Sequence, residues 1–217
     1  LQGKTTIRFV TMGDSQRWYD ETEDFVKEIN KRNDIDFVIH GGDMSDFGLT
    51  KEFLWQRDIM NGLNVPYVVL IGNHDCLGTG AETYKAVFGP TNFSFIAGNV
   101  KFVCLNTNAL EYDYSEPVPN FTFMEQEITS RLDEFEKTVI SMHARPYTDV
   151  FNDNVAKVFQ HYIRQYPGIQ VCTAAHTHHY QDDVIFDDGI HYVTSDCMDY
   201  RTYLVFTITP EKYEYEL

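Results

Sequence analysis

Five apolar runs in this chain stop in the same way. "FVTMGDSQ" ends on Asp14 and Gln16, and "FVIHGGDMSD" on Asp43 and Asp46. "VVLIGNHD" ends on Asn73, His74 and Asp75, "VISMHARP" carries His143, and "VCTAAHTHH" carries His176 and His178. Each run is short and rich in β-branched residues, so each reads as a buried strand. A Gly-Asp or Gly-Asn pair alone is ordinary turn chemistry, and a lone His-x-His is more often structural than ligating. Five such ends in sequence are a stronger constraint. In open α/β sheets, ligands bind just beyond the carboxyl ends of the strands, and here those ends deliver carboxylates, amides and imidazoles.

Between the runs the pattern alternates. Thr5–Met12, Phe37–His40, Pro66–Ile71, Thr138–Met142 and Ile169–Ala175 read as strands. Asp20–Asn33, Thr50–Leu63, Ala81–Phe88, Thr122–Glu136 and Asp153–Tyr166 read as helices. Asp20 with Glu23 suggests a capping box, and Asn152 is a cap candidate. Asn92–Ile96 and Val100–Asn106 predict a hairpin around Gly98-Asn99. Asn108–Phe121, with two prolines, reads as a loop, and Tyr180–Leu217 as three strands. Alternating strand and helix followed by hairpins predicts an α/β fold with more than one sheet. The 217 residues, 43% of them hydrophobic, suit one domain over residues 1–217 or two small ones.

The charge limits the partners. With 33 acidic against 17 basic residues, the net charge of -16 repels nucleic acid and anionic membranes. No apolar run approaches the ~20 residues of a membrane helix. Cys104 and Cys172 sit in apolar strands and read as core, whereas Cys76 and Cys197 lie beside polar motifs and are expected to be more exposed. Four widely spaced cysteines give no disulfide framework. The chain begins at Leu1, as a mature or trimmed chain would, so the compartment is left open, as is the oligomeric state. "NFS" at Asn92 and "NFT" at Asn120 match the glycosylation sequon, which matters only in a secreted protein.

Carboxylates and imidazoles gathered at one place repel one another or protonate. A pair of divalent ions turns that conflict into attraction. Nitrogen and carboxylate oxygen donors without thiolate suit zinc, manganese, iron or nickel. Asp43, after Gly41-Gly42, is best placed to bridge two ions. Such a pair clamps the attacking and leaving oxygens of a displacement at phosphorus.

In this order the motifs resemble those of the calcineurin-like metallophosphoesterases: D-x-H, G-D-x-x-D, G-N-H-D/E, a single His, and G-H-x-H. Here they stand as Asp14-Ser15-Gln16, Gly42-Asp43-Met44-Ser45-Asp46, Gly72-Asn73-His74-Asp75, His143, and Ala175-His176-Thr177-His178. The resemblance implies a four-layer αββα sandwich of two mixed sheets flanked by helices. It implies that Asp14, Asp43 and His178 hold one ion, and Asp43, Asn73, His143 and His176 the other. Gln16 replaces the histidine of D-x-H, and an amide oxygen is a weaker donor than imidazole. Ala175 replaces a glycine and asks for room for one methyl. Asp46 stands where iron-dependent purple acid phosphatases carry tyrosine, which argues against that branch.

The resulting expectation is hydrolysis of small phosphoric esters by a metal-activated water, with His74 assisting the leaving oxygen and Asp75 or Asp46 orienting His74 or a metal ligand. Arg17, Arg145 and Arg201 are candidates for binding substrate phosphate, and each is otherwise a surface charge. Trp18, Tyr19 and Tyr147 are candidates for the pocket wall. A non-catalytic metal-binding interaction scaffold of the same fold is the alternative, with Gln16 as the first sign of lost function. A nuclease is disfavoured by the acidic balance.

Overall fold

The computed structural model describes residues 1, 3–112 and 115–217. Eleven strands form two mixed sheets among these residues. In the first, β1 (Ile7–Met12), β2 (Phe37–His40) and β3 (Tyr67–Val69) run parallel. The antiparallel strands β10 (Leu204–Ile208) and β11 (Tyr213–Glu216) extend it beyond β1. The second sheet has the order β4-β5-β6-β7-β9-β8. Its hairpin β4 (Phe93–Ala97) and β5 (Val100–Leu105) leads into the parallel strands β6 (Lys137–Met142), β7 (Ile169–Ala174) and β9 (Tyr192–Thr194). The short β8 (Gln181–Asp183) closes the edge.

Alternation along β1 shows why the layers form. Ile7 and Phe9 face the second sheet, in a core with Phe37, Phe102, Val139 and Phe206. Val10 and Met12 face the other way, toward the helices α1 (Tyr19–Ile29), α2 (Thr50–Met60) and α3 (Gly80–Phe88). The second sheet buries its outer face under α4 (Phe121–Thr129) and α5 (Ala156–Ile163). A helix-sheet-sheet-helix sandwich results, the architecture implied by the motifs. At its centre the Phe9 ring stacks on Phe37 at 5.6 Å and Phe206 at 5.1 Å, and meets Phe102 edge-on at 5.0 Å. Each such pair contributes about 0.5–1.5 kcal/mol beyond its buried area.

Several local expectations are corrected. No capping box forms at Asp20 and Glu23, because α1 begins at Tyr19, and Trp18 caps it without a side-chain bond. The helix expected over Thr122–Glu136 ends at Thr129. There the Lys101 ammonium, buried in β5, donates to the carbonyls of Glu127 (2.5 Å) and Ser130 (3.0 Å) and to Ser130 Oγ (2.6 Å). The loop expected over Asn108–Phe121 holds one 3-10 turn at Ala109–Tyr112 and partly lies outside the described residues. Tyr180–Leu217 holds four strands, since β8 reads only Gln-Asp-Asp and has no apolar pattern to find. Asn152 does cap, accepting from the Asn154 amide at 3.2 Å. All four cysteines are free; Cys197 is buried, against expectation, and Cys76 is half-buried. No helix among the described residues is long and apolar enough to cross a membrane.

Candidate metal centre

The parallel strands of both sheets point their carboxyl ends at one place. Asp14 follows β1, Asp43 follows β2, Asn73 follows β3, His143 follows β6, and His176 and His178 follow β7. Four of these leave the strand through positive φ: Asp14 (50°), Asp43 (58°), His176 (75°) and His178 (60°). Left-handed backbone is uncommon for residues with a side chain, and it clusters where function over-determines the structure. Each such turn aims a side chain back across the sheet end.

Glycines let the turns approach one another. A Cβ on Gly42 would lie 2.7 Å from His143 Nδ1, and one on Gly72 would lie 2.0 Å from Asp43 Oδ1. Gly13 and Gly41 play the same part for Ala175, whose methyl would lie 2.9 Å from a Cβ at either position. The room that Ala175 requires is thus supplied by two neighbours without side chains.

The donors converge. His143 Nε2 stands 3.0 Å from Asn73 Oδ1 and 3.4 Å from Asp43 Oδ2. His176 Nδ1 stands 3.0 Å from the same Asn73 oxygen, and His178 Nε2 stands 3.4 Å from Asp14 Oδ1. Asp14, Asp43 and His143 each offer a ligand atom within 4.8 Å of the others. The His143 Nδ1–H donates to the Gly41 carbonyl at 2.8 Å, which leaves Nε2 as the nitrogen facing two oxygens. Among the described residues, the buried Asp14 Oδ1 and Gln16 Oε1 have no hydrogen-bond partner. Carboxylate, amide and imidazole donors thus crowd one place around two buried oxygens without partners, which is the arrangement a divalent cation satisfies. The residues fit a metal. Burial opposes charge on His143, yet Asp43, Asp14 and the Gly41 carbonyl raise its pKa to about 9. The same pairing lowers Asp43 against its own burial. Both shifts show a site that demands positive charge.

The remaining candidates fall into place around this cluster. His74 is half-buried; its backbone N–H donates to Asp43 Oδ1 (2.9 Å) and its Nδ1–H to the Asp46 carbonyl (2.8 Å). Asp75 is fully buried and does not meet the His74 ring. It accepts from the amides of Asp43 (2.9 Å), Ser45 (2.8 Å) and Gly72 (3.0 Å) and from Ser45 Oγ (2.8 Å), so it braces the loop carrying Asp43. Arg17 pairs with Asp46 and remains exposed. Arg145 donates to Gln181 (3.0 Å) and Asp183 (2.9 Å), and Gln181 in turn meets Thr177, between the two histidines. Arg201 lies instead against α1, paired with Glu21 and Asp24 at 3.3 Å, and is not brought to the cluster. Trp18 packs edge-on to His178 at 5.9 Å, whereas Tyr19 packs on Trp55 and Tyr147 on Phe186.

Two residues here escaped the sequence reading. His40 ends β2 buried, accepting from the Gly42 amide (3.2 Å) and donating to Ser15 Oγ (2.8 Å). It ties the first two motif loops together, and its place at a strand end was the available signal. Asp149 lies 2.6 Å from His176 Nε2, a contact spanning too much sequence for any local pattern to signal.

A family model described as calcineurin-like phosphoesterase matches residues 7–180. A search of curated proteins gives no match. Among solved structures, a dimetal phosphatase from Danio rerio superposes with a TM-score of 0.80 at 12% identity, covering 97% of this chain and 95% of its own. GAP50, the anchor in the inner membrane complex of Plasmodium, gives 0.72 at 10% identity over 98% and 84%. A purple acid phosphatase from yellow lupin (Lupinus luteus) seeds gives 0.69 at 14%, covering all of this chain and 52% of its own. At such identities the likeness is one of fold.

Proposed function

Because this chain belongs to the calcineurin-like phosphoesterase family, we propose that it hydrolyses small phosphoric esters at a dinuclear centre of divalent ions. The observation that supports this most is the meeting of Asp43, Asn73, His143 and His176 within 3.0–3.4 Å at one sheet end. Asp14, Asp43 and His178, with the Gln16 carbonyl, are the donors for one ion; Asp43, Asn73, His143 and His176 are the donors for the other. Ions bound there supply Lewis acidity toward phosphoryl oxygens and an acidified water as nucleophile.

The chain's own residues do the rest. With Nδ1–H held on the Asp46 carbonyl, the protonated His74 ring gives its Nε2 proton to the leaving oxygen and is left as the neutral Nδ1–H imidazole. Asp75 fixes the backbone between Asp43 and Ser45, so the shared carboxylate keeps its place. Arg17, exposed beside Asp46, is the cation best placed to meet a phosphate oxygen. The net charge of -16 favours small substrates over polyanions.

The test is turnover by metal-stripped protein reloaded separately with manganese, zinc, iron or nickel, against mono- and diesters of phosphate. Parent protein turns over only when loaded. Asp43→Asn loses ion uptake and turnover together. A fully loaded parent that cleaves no ester in the panel would instead support the interaction scaffold.

A further inference from the structure

The two imidazoles that share the Asn73 oxygen turn opposite nitrogens toward it, Nε2 of His143 and Nδ1 of His176. His143 carries its proton on Nδ1, donated to the Gly41 carbonyl. His176 presents Nδ1 to Asn73 Oδ1 at 3.0 Å and Nε2 to Asp149 Oδ1 at 2.6 Å. A carboxylate only accepts, so the proton of a neutral His176 ring belongs on Nε2. Its Nδ1 lone pair then faces the ion site.

We propose that Asp149 is the positioning residue for His176: it fixes the ring's tautomer and orientation, so that Nδ1 serves as a metal donor. The proposal rests on the reading of His176 as an ion ligand. Ligating histidines characteristically donate their second nitrogen to a carboxylate or carbonyl, which sets the ring and strengthens it as a donor. The backbone carbonyl of Gly41 does this for His143; the side chain of Asp149 does it for His176.

The carboxylate is 87% exposed while the imidazole is 11% exposed, and such a contact ordinarily fluctuates. The backbone around Asp149 is nonetheless held in place. Its neighbours Val150 and Phe151 are buried, and Phe151 packs edge-on to Phe159 at 5.2 Å. The Tyr147 amide donates to Asp153 Oδ1 (2.8 Å), Thr148 Oγ1 donates to the Arg145 carbonyl (2.7 Å), and the Phe151 amide donates to the Thr148 carbonyl (3.1 Å). The loop that follows His143 is therefore pinned on both sides of the acid. On the other side of the ring, the His176 amide donates to Asp14 Oδ2 at 2.9 Å. The residue is thus held through its backbone and through Nε2, and Asp149 is the carboxylate in direct contact with one of its ring nitrogens.

Two measurements on the full chain test this. Nitrogen-resolved imidazole spectra of ion-stripped protein report the tautomer directly. The parent should show His176 protonated on Nε2, and Asp149→Ala should show a mixture. Calorimetric titration with manganese should show the tighter of two binding steps weakened ~10–100-fold in Asp149→Ala. Asn73→Ala, which removes a donor of the same ion, identifies that step. Asp149→Asn, which keeps an acceptor without the charge, should retain the Nε2–H tautomer and fall between parent and alanine variant in affinity. A parent that takes up no divalent ion overturns the reading of the centre, and the proposal with it. Normal uptake by the parent with an unchanged tautomer and unchanged affinity in Asp149→Ala overturns the role of Asp149 alone.

Discussion

Gly72 packs directly against the Asp43 carboxylate: a single added methyl would lie 2.0 Å from Oδ1 and 2.3 Å from the Asp43 backbone nitrogen. The glycine carries no donor atom, yet it decides where the shared carboxylate stands. Gly72→Ala should therefore displace Asp43 while leaving every ligand in the sequence. Overpacking of this kind costs ~1–3 kcal/mol. Denaturant unfolding should show that loss, and titration of stripped protein should show ion affinity reduced at least about tenfold, or ~1.4 kcal/mol. Uptake equal to the parent's would mean that the Asp43 turn relaxes without consequence.

His74→Asn should keep the ions and slow hydrolysis, because the ring contacts Asp46 while the backbone amide, which the variant retains, is what reaches Asp43. General-acid assistance is worth ~10²–10⁴-fold. The deficit should shrink with leaving groups of low pKa, which depart without a proton. A rate series over aryl esters checks this; an equal deficit along the series would assign His74 to substrate positioning.

Gln16→His should tighten the weaker of two loading steps by about tenfold. Gln16 is buried with Oε1 unpartnered, and its backbone N–H donates to the Asp43 carbonyl at 3.0 Å. An amide oxygen is the weaker donor, so the ion held by Asp14 and His178 should load second, with activity following that step. A single loading step in the parent, or no gain in the histidine variant, would rule this out.

His40 should make the ion-stripped protein sensitive to acid. Burial pushes its pKa down from 6.5 to about 3, and the opposing pull of Asp43 does not offset this. The unfolded chain binds the proton first, so this group costs no stability above its unfolded pKa of 6.5 and drains stability as pH falls from there toward 3. Between pH 6.5 and roughly pH 5 the loss is about 1.5 kcal/mol. His40→Gln should flatten the pH dependence of the urea midpoint in that window by this amount. Parallel curves for parent and variant would contradict it.

The strand ends were legible because two signals coincide there: an apolar β-branched run and a donor residue directly after it. Those signals marked Asp14, Asp43, Asn73, His143, His176 and His178 as candidates, and the structure brings them together; the sandwich followed only from the family resemblance, because periodicity does not say whether the hairpins extend the first sheet or build a second. Structure resting on distant contacts was not legible. The end of α4 depends on Lys101, 26 residues from Glu127, so periodicity ran on through Ser130 to Glu136. Asp75 follows His74 in the chain, yet its oxygens turn back to the Asp43 loop; adjacency could not say which of its two expected roles, orienting His74 or orienting a ligand, its contacts would serve. Arg201 has the same chemistry as Arg17; only the placement of α1 separates them.

The methyl of Ala175 constrains how this sequence can drift. Alanine at 13 or at 41 collides with it at 2.9 Å, so both positions are closed to change while it is present. A prior change of Ala175 to glycine removes that collision from each, and the order of substitutions then decides which are tolerated. Descendants that lost the methyl would be freer to vary at two strand ends, whereas those that kept it would hold both glycines without any chemical need for them at the centre.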